Sequence, residues 1–186
     1  NSISFLNTQV DSIMIGYYLN PAEVGIYAVA VLLAQTLTLI PGAVQRVTAP
    51  ATATLYGKGD IRAIRKIISS TMKKAFLVSA ATALVIVIFG QFFISLFFTA
   101  EFLPAYVPLL VLLVGHTIFA PFMAIGSTLA SIGKVNIPFR IHSICGVLNV
   151  VLNILLIPLL GIMGAAASTT ITHIANFMIH MIVIEK

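Results

Sequence analysis

Residues 147–170 read VLNVVLNILLIPLLGIMGAAASTT: the end of one apolar helix, a tight uncharged turn and the start of another. The apolar run leading into it, residues 141–160, has no Asp, Glu, Lys or Arg and a single histidine, His142. At about 1.5 Å per residue such a run covers the roughly 30 Å hydrocarbon core of a bilayer. Pro158 has no N–H to give a helix interior, so a stop is expected near it, and Gly161 frees the backbone to turn. Gly164-Ala165-Ala166-Ala167-Ser168 then opens the next helix with side chains small enough for a neighbouring backbone to come close. Asn149 and Asn153 stand inside the first span as polar residues.

The rest of the chain has the same character. Of its 186 residues 60% are hydrophobic and 8% charged, and the mean hydropathy is +1.11. A soluble domain carries about 25% charged residues, so this is the composition of an integral membrane protein. Trp is absent, which leaves any aromatic belt to Tyr and Phe. The single cysteine, Cys145, excludes an internal disulfide and reads as a small buried apolar residue. The chain begins with Asn1 and ends at Glu185-Lys186 directly after an apolar run. It therefore reads as a piece of a longer polypeptide without a visible signal peptide.

Six apolar segments mark spans at residues 3–19, 22–49, 75–98, 104–132, 141–160 and 163–184, the first only just long enough. Pro41-Gly42 and Pro121 are expected to kink their helices rather than end them. The connections alternate in charge. Those at 19–23, 99–103 and 160–163 carry no Lys or Arg. Lys58, Arg62, Arg65, Lys66, Lys73 and Lys74 fall in another loop, Lys134 and Arg140 in the next, and Arg46 and Lys186 at the same side. Basic loops stay cytoplasmic, so both ends are expected to face the cytoplasm from a multi-pass plasma-membrane protein. This placement also accounts for the net charge of +5 without a nucleic-acid partner, since no aromatic platform accompanies the basic residues.

Within the basic loop, residues 57–74, Gly57-Lys58-Gly59 breaks the helix and Asp60 suits an N-cap. Ile61, Ile64, Ile67 and Ile68 then give one apolar face to a short amphipathic helix at the membrane surface. Contact with anionic lipid explains its charges; contact with a phosphate-bearing substrate is the other reading.

Polar residues inside the spans fall into stripes at helical spacing. Ser4, Asn7, Thr8 and Asp11 form one. Gln35, Thr38, Gly42 and Gln45 form a second, with Arg46 beside it. His142, Gly146, Asn149 and Asn153 make a third, and Thr169, His173, Asn176 and His180 a fourth. The third span, across 84–98, is aliphatic and aromatic and suits lipid. A polar face within a membrane is directed at protein or water, so helices one, two, five and six are expected to line a hydrated cavity or a partner lobe.

The candidate substrate or ion-pathway residues are Asp11, Gln35, Gln45, Arg46, His142, Asn149, Asn153, His173 and Asn176. A carboxylate in a span costs roughly 2.5–3.5 kcal/mol on insertion scales, so Asp11 calls for a partner or a function. It suits a proton, a sodium ion or a cationic partner elsewhere in the protein. Arg46 has the planar fork that binds phosphate, or it snorkels at the cytoplasmic end. His173 and His180 are two helical turns apart, about 10 Å, too far to share one metal ion. No nucleophile elbow, phosphate loop, metalloprotease helix or carboxylate pair is present, so the sequence does not read as an enzyme and implies no cofactor.

These residues resemble a known family. Asp11-x-Ile13-Met14-Ile15-Gly16 followed by Pro21-Ala-Glu-Val-Gly-Ile-Tyr27, Gly57-Lys-Gly-Asp60, Phe89-Gly90 through Phe102-Leu-Pro-Ala105 with Gly133-Lys134, and above all residues 149–166 carry the likeness. The chain is similar to the C-terminal lobe of polysaccharide exporters and lipid-linked oligosaccharide flippases of the multidrug/oligosaccharidyl-lipid/polysaccharide superfamily. The resemblance implies an all-α membrane fold in which six transmembrane helices form one lobe of a two-lobe transporter. It also implies alternating access for a lipid-linked oligosaccharide in cell-surface polysaccharide synthesis. The implied partners are membrane lipid, that substrate, the missing N-terminal lobe and a coupling H+ or Na+. A cation-coupled multidrug exporter of the same superfamily is the second reading, and a non-transporting membrane scaffold the third.

Overall fold

The computed structural model describes residues 2–131 and 136–185. Lys134 and Lys186 lie outside that range, and the side chains of Ser4, Asn7 and Thr8 are likewise outside the described set. Among the described residues the secondary structure is entirely helical: α1 Ser2–Tyr18, α2 Pro21–Gln35, α3 Leu39–Gly57, α4 Ile61–Phe97, α5 Tyr106–Met123, α6 Thr128–Ser131, α7 Asn136–Leu160 and α8 Ile162–Glu185. Short 3-10 segments, Thr36–Thr38 and Ala100–Ala105, precede α3 and α5. Five helical runs are long and apolar enough to cross a membrane: Pro21–Gly57, Ile61–Phe97, Ala100–Met123, Asn136–Leu160 and Ile162–Ile182. With the 17-residue α1 they make six long runs, an all-α membrane fold of the kind expected of one transporter lobe.

Local chemistry sets the ends of these helices. Asn20 caps α2 by accepting from the Glu23 N–H at 3.0 Å, with Pro21 in the first turn. Asp60 caps α4 by accepting from the Ala63 N–H at 3.0 Å. The expected kink is at Pro41-Gly42; the helical run is interrupted just before it, by the 3-10 turn Thr36–Thr38. Pro41 has no N–H for the Leu37 carbonyl four residues back, and the buried Ser79 hydroxyl of α4 donates to that carbonyl at 3.0 Å. Pro121 lies near the end of α5 rather than at a kink in a longer helix. Turns over Ala124–Ser127 separate α5 from α6, so the run expected to 132 stops at Met123.

A further difference has a clear cause. The surface helix and the third span are one helix, α4, of 37 residues. Nothing between Ile61 and Gly90 is Pro or Gly, so the hydrogen-bond ladder has no reason to break where the hydropathy changes. Pro158 lies within the last turn of α7, which ends at Leu160, where the apolar run 141–160 ends. The reversal is made by one residue, Gly161, at φ +62°. Gly164 then lies so close to α7 that an added Cβ would meet the Leu156 carbonyl oxygen at 2.2 Å.

α8 packs along both α5 and α7, α4 against α5 and α3, and α1 against α7 and α2. The apolar core sits among Ile15, Tyr27, Leu37, Ile94, Leu109, Leu112 and Ile157. On α4, Ala75, Ser79, Ile86, Gly90 and Ile94 face this core, while Leu77, Leu84, Ile88, Phe92 and Phe97 are exposed in the manner of a lipid-facing surface.

Candidate functional site

Asp11 sits in the middle of α1, 5% exposed, where α1 meets α2, α7 and α8. Each neighbour supplies a donor. The Tyr27 hydroxyl of α2 donates to Oδ2 at 2.9 Å and the Thr169 hydroxyl of α8 to the same oxygen at 2.6 Å. The Asn153 carboxamide of α7 donates to Oδ1 at 2.6 Å. Behind them, Asn153 Nδ2 also approaches Asn149 Oδ1 at 3.2 Å, and Asn149 Nδ2 approaches Thr169 Oγ1 at 3.4 Å. A carboxylate in an apolar medium is stabilised only when its lone pairs are met in this way.

A cavity of about 630 Å³ runs from Asp11 along α5, α7 and α8. Asp11, Gln35, Gln45, His142, Asn149, His173 and Asn176 line it. Asn153 is fully buried behind the wall and reaches the cavity through its bonds to Asp11 and Asn149. Arg46 is exposed and is not among the lining residues, although Gln45 beside it is. A one-residue step turns a helix by about 100°, which swings the guanidinium away from its neighbour's face. Arg140 is exposed as well.

Aromatic and imidazole rings occupy the far end. His173 stacks on Phe119 at 4.5 Å between centroids and 7° between planes, and His116 meets His173 edge-on at 4.8 Å. Asn176 Nδ2 lies 3.2 Å from His142 Nδ1. The fully buried His180 packs on Phe122 at 3.8 Å and approaches the Asn176 carbonyl at 2.9 Å through Nδ1. Among the described residues no group of three His, Cys, Asp or Glu is placed to hold a metal ion.

Three contributors were not singled out from the sequence. Thr169 belongs to the polar stripe of α8 but is not among the candidate residues above. Tyr27 and His116 were not placed on any stripe. The signal for Tyr27 is its spacing: Tyr27, Val31, Gln35 and Thr38 run along one helical face and all line the cavity.

Comparison with known proteins gives the family. The MatE family pattern matches residues 1–155. The chain is 28% identical over 173 residues to the "Probable low-salt glycan biosynthesis flippase Agl15" of Haloferax volcanii, covering 92% of this chain and 36% of that protein. It is 25% identical over 167 residues to the "Probable flippase AglR" of the same organism, covering 88% of this chain and 35% of the relative. An uncharacterized membrane protein of Methanocaldococcus jannaschii is 27% identical over 179 residues, covering 95% and 35% respectively. The chain thus spans about a third of the length of the curated relatives it matches. No solved structure matches. The chain belongs to the MatE family of membrane transporters, within the multidrug/oligosaccharidyl-lipid/polysaccharide superfamily.

Proposed function

We propose that this chain forms one lobe of a flippase that moves a lipid-linked oligosaccharide across the cytoplasmic membrane by alternating access. Its basic loops, and both ends of the piece, face the cytoplasm. The observation that carries the reading is the buried Asp11 at one end of a polar cavity, held by donors from three other helices. A structural ion pair would place a cation on Asp11; here hydroxyls and a carboxamide surround it. The Tyr27 and Thr169 hydroxyls can rotate and offer lone pairs instead of protons. The same cage therefore accepts either an added proton or a bound sodium ion, the two coupling cations proposed for the transporter. The name of one relative, a probable glycan biosynthesis flippase, supports the substrate class, and that of the other supports a flippase.

The test is Asp11→Asn in the full-length protein, with surface glycan measured in cells. Asn keeps the shape and removes the charge, so export is expected to fall at least tenfold while protein levels hold. Normal export would sink the assignment of Asp11. A cation-coupled drug exporter is the second reading, favoured by the aromatic lining of Phe119 and Phe122 beside one carboxylate. It predicts that Asp11→Asn sensitises cells to organic cations and leaves surface glycan unchanged.

A further inference from the structure

The two ends of the cavity differ in chemistry. At Asp11 both carboxylate oxygens already have donors, and the unpartnered Asn153 Oδ1 there is sealed behind the wall, off the cavity. At the other end, hydrogen-bonding atoms stand without protein partners. Asn176 is 4% exposed, lines the cavity and bonds His142 through Nδ2, while its Oδ1 meets no donor. One turn earlier on the same face of α8, Thr172 Oγ1 is also buried without a partner. Buried polar atoms of this kind cost about 1–3 kcal/mol each unless something satisfies them. Beside them stand the stacked rings of Phe119 and His173.

We infer that this end of the cavity is a subsite for an uncharged sugar ring, the part of the lobe that reads the glycan of the lipid-linked substrate. A pyranose presents hydroxyls to a carboxamide oxygen and a threonine hydroxyl, and an apolar C–H face to aromatic rings. The electrostatics oppose an anion here: among the described residues no Lys or Arg lines the cavity, and Asp11 shares it. The diphosphate of the substrate is therefore held outside this lobe's cavity. The volume, about 630 Å³, lies within the roughly 300–1,000 Å³ of small-molecule sites. This subsite rests on the flippase reading and deepens it.

The experiment uses the full-length transporter carrying Cys145→Ala, with Thr172→Cys or Asn176→Cys introduced singly. Labelling by a small maleimide is timed with two probes: a polyprenyl diphosphate bearing an uncharged hexose disaccharide, and the same polyprenyl diphosphate without sugar. The glycosylated probe is expected to slow labelling at least tenfold at both positions, and the sugar-free probe less than twofold. Equal protection by both lipids, protection by neither, or cysteines that never label would overturn the subsite. Translocation of the glycosylated probe by the unsubstituted transporter in vesicles is measured in parallel. Translocation without protection removes the subsite and leaves the flippase; no translocation removes the flippase reading itself.

Discussion

The two oxygens of Asp11 are not equally supplied. Oδ2 has Tyr27 and Thr169, whereas Oδ1 depends on Asn153. Tyr27→Phe deletes one of two donors and is expected to cost about 1 kcal/mol. Asn153→Leu leaves a buried carboxylate oxygen bare and should cost about 1–3 kcal/mol, more than Tyr27→Phe. Thermal unfolding of the full-length protein ranks them; an equal or reversed order would show that Asn153 is not the principal donor. At this scale much was legible beforehand. Asp11 stood out as a carboxylate in a span, and spacings of three and four put Asn149 and Asn153 on one face of α7. Tyr27 was harder, because its stripe passes through Val31 and looks like core packing until the carboxylate opposite is seen. Arg46, whose sequence context suits either a phosphate fork or snorkelling at the cytoplasmic end, is exposed and stands off the cavity wall.

Helices meet through a few unforgiving points. Ser79 ties α4 to the Leu37 carbonyl that Pro41 cannot serve. Ser79→Ala is expected to lower stability by about 1–3 kcal/mol, seen as a lower melting temperature, while Ser79→Thr with its retained hydroxyl loses less. No loss in the alanine variant would mean that the carbonyl finds another donor. In the α7–α8 hairpin, Gly164→Ala forces a methyl against the Leu156 carbonyl oxygen, at 2.2 Å if nothing moves. Backbone must shift, and a cost of about 1–3 kcal/mol follows. Helix α4 shows why element boundaries were less legible than element existence. The sequence changes there from amphipathic to wholly apolar, which marks the water–membrane transition in composition. Backbone geometry responds to Pro, Gly and caps, and none falls at that point. At about 1.5 Å per residue the 37 residues of α4 extend roughly 55 Å, beyond the roughly 30 Å hydrocarbon core, and carry Arg62, Arg65 and Lys66 on the excess.

Across the whole molecule, polar residues of α1, α2, α5, α7 and α8 gather on one cavity, while α4 presents Leu84, Ile88 and Phe92 outward. This segregation is what a lobe needs if one side meets lipid and the other meets substrate or a partner lobe. In the proposed two-lobe transporter, residues 1–186 expressed alone are expected to turn over several-fold faster in a pulse-chase than when the remaining part is co-expressed. Equal lifetimes would argue that the lobe is self-sufficient. The single-residue reversal at Gly161 has a mechanical consequence. The turn leaves no slack between α7 and α8, so Asn149, Asn153 and Thr169 sit on one closely joined hairpin, across from Asp11 on α1 and Tyr27 on α2. In the proposed ion-coupled transporter, a cation arriving at Asp11 would exchange the Asn153 and Thr169 bonds that tie α1 to this hairpin, so the carboxylate would serve as a latch between them.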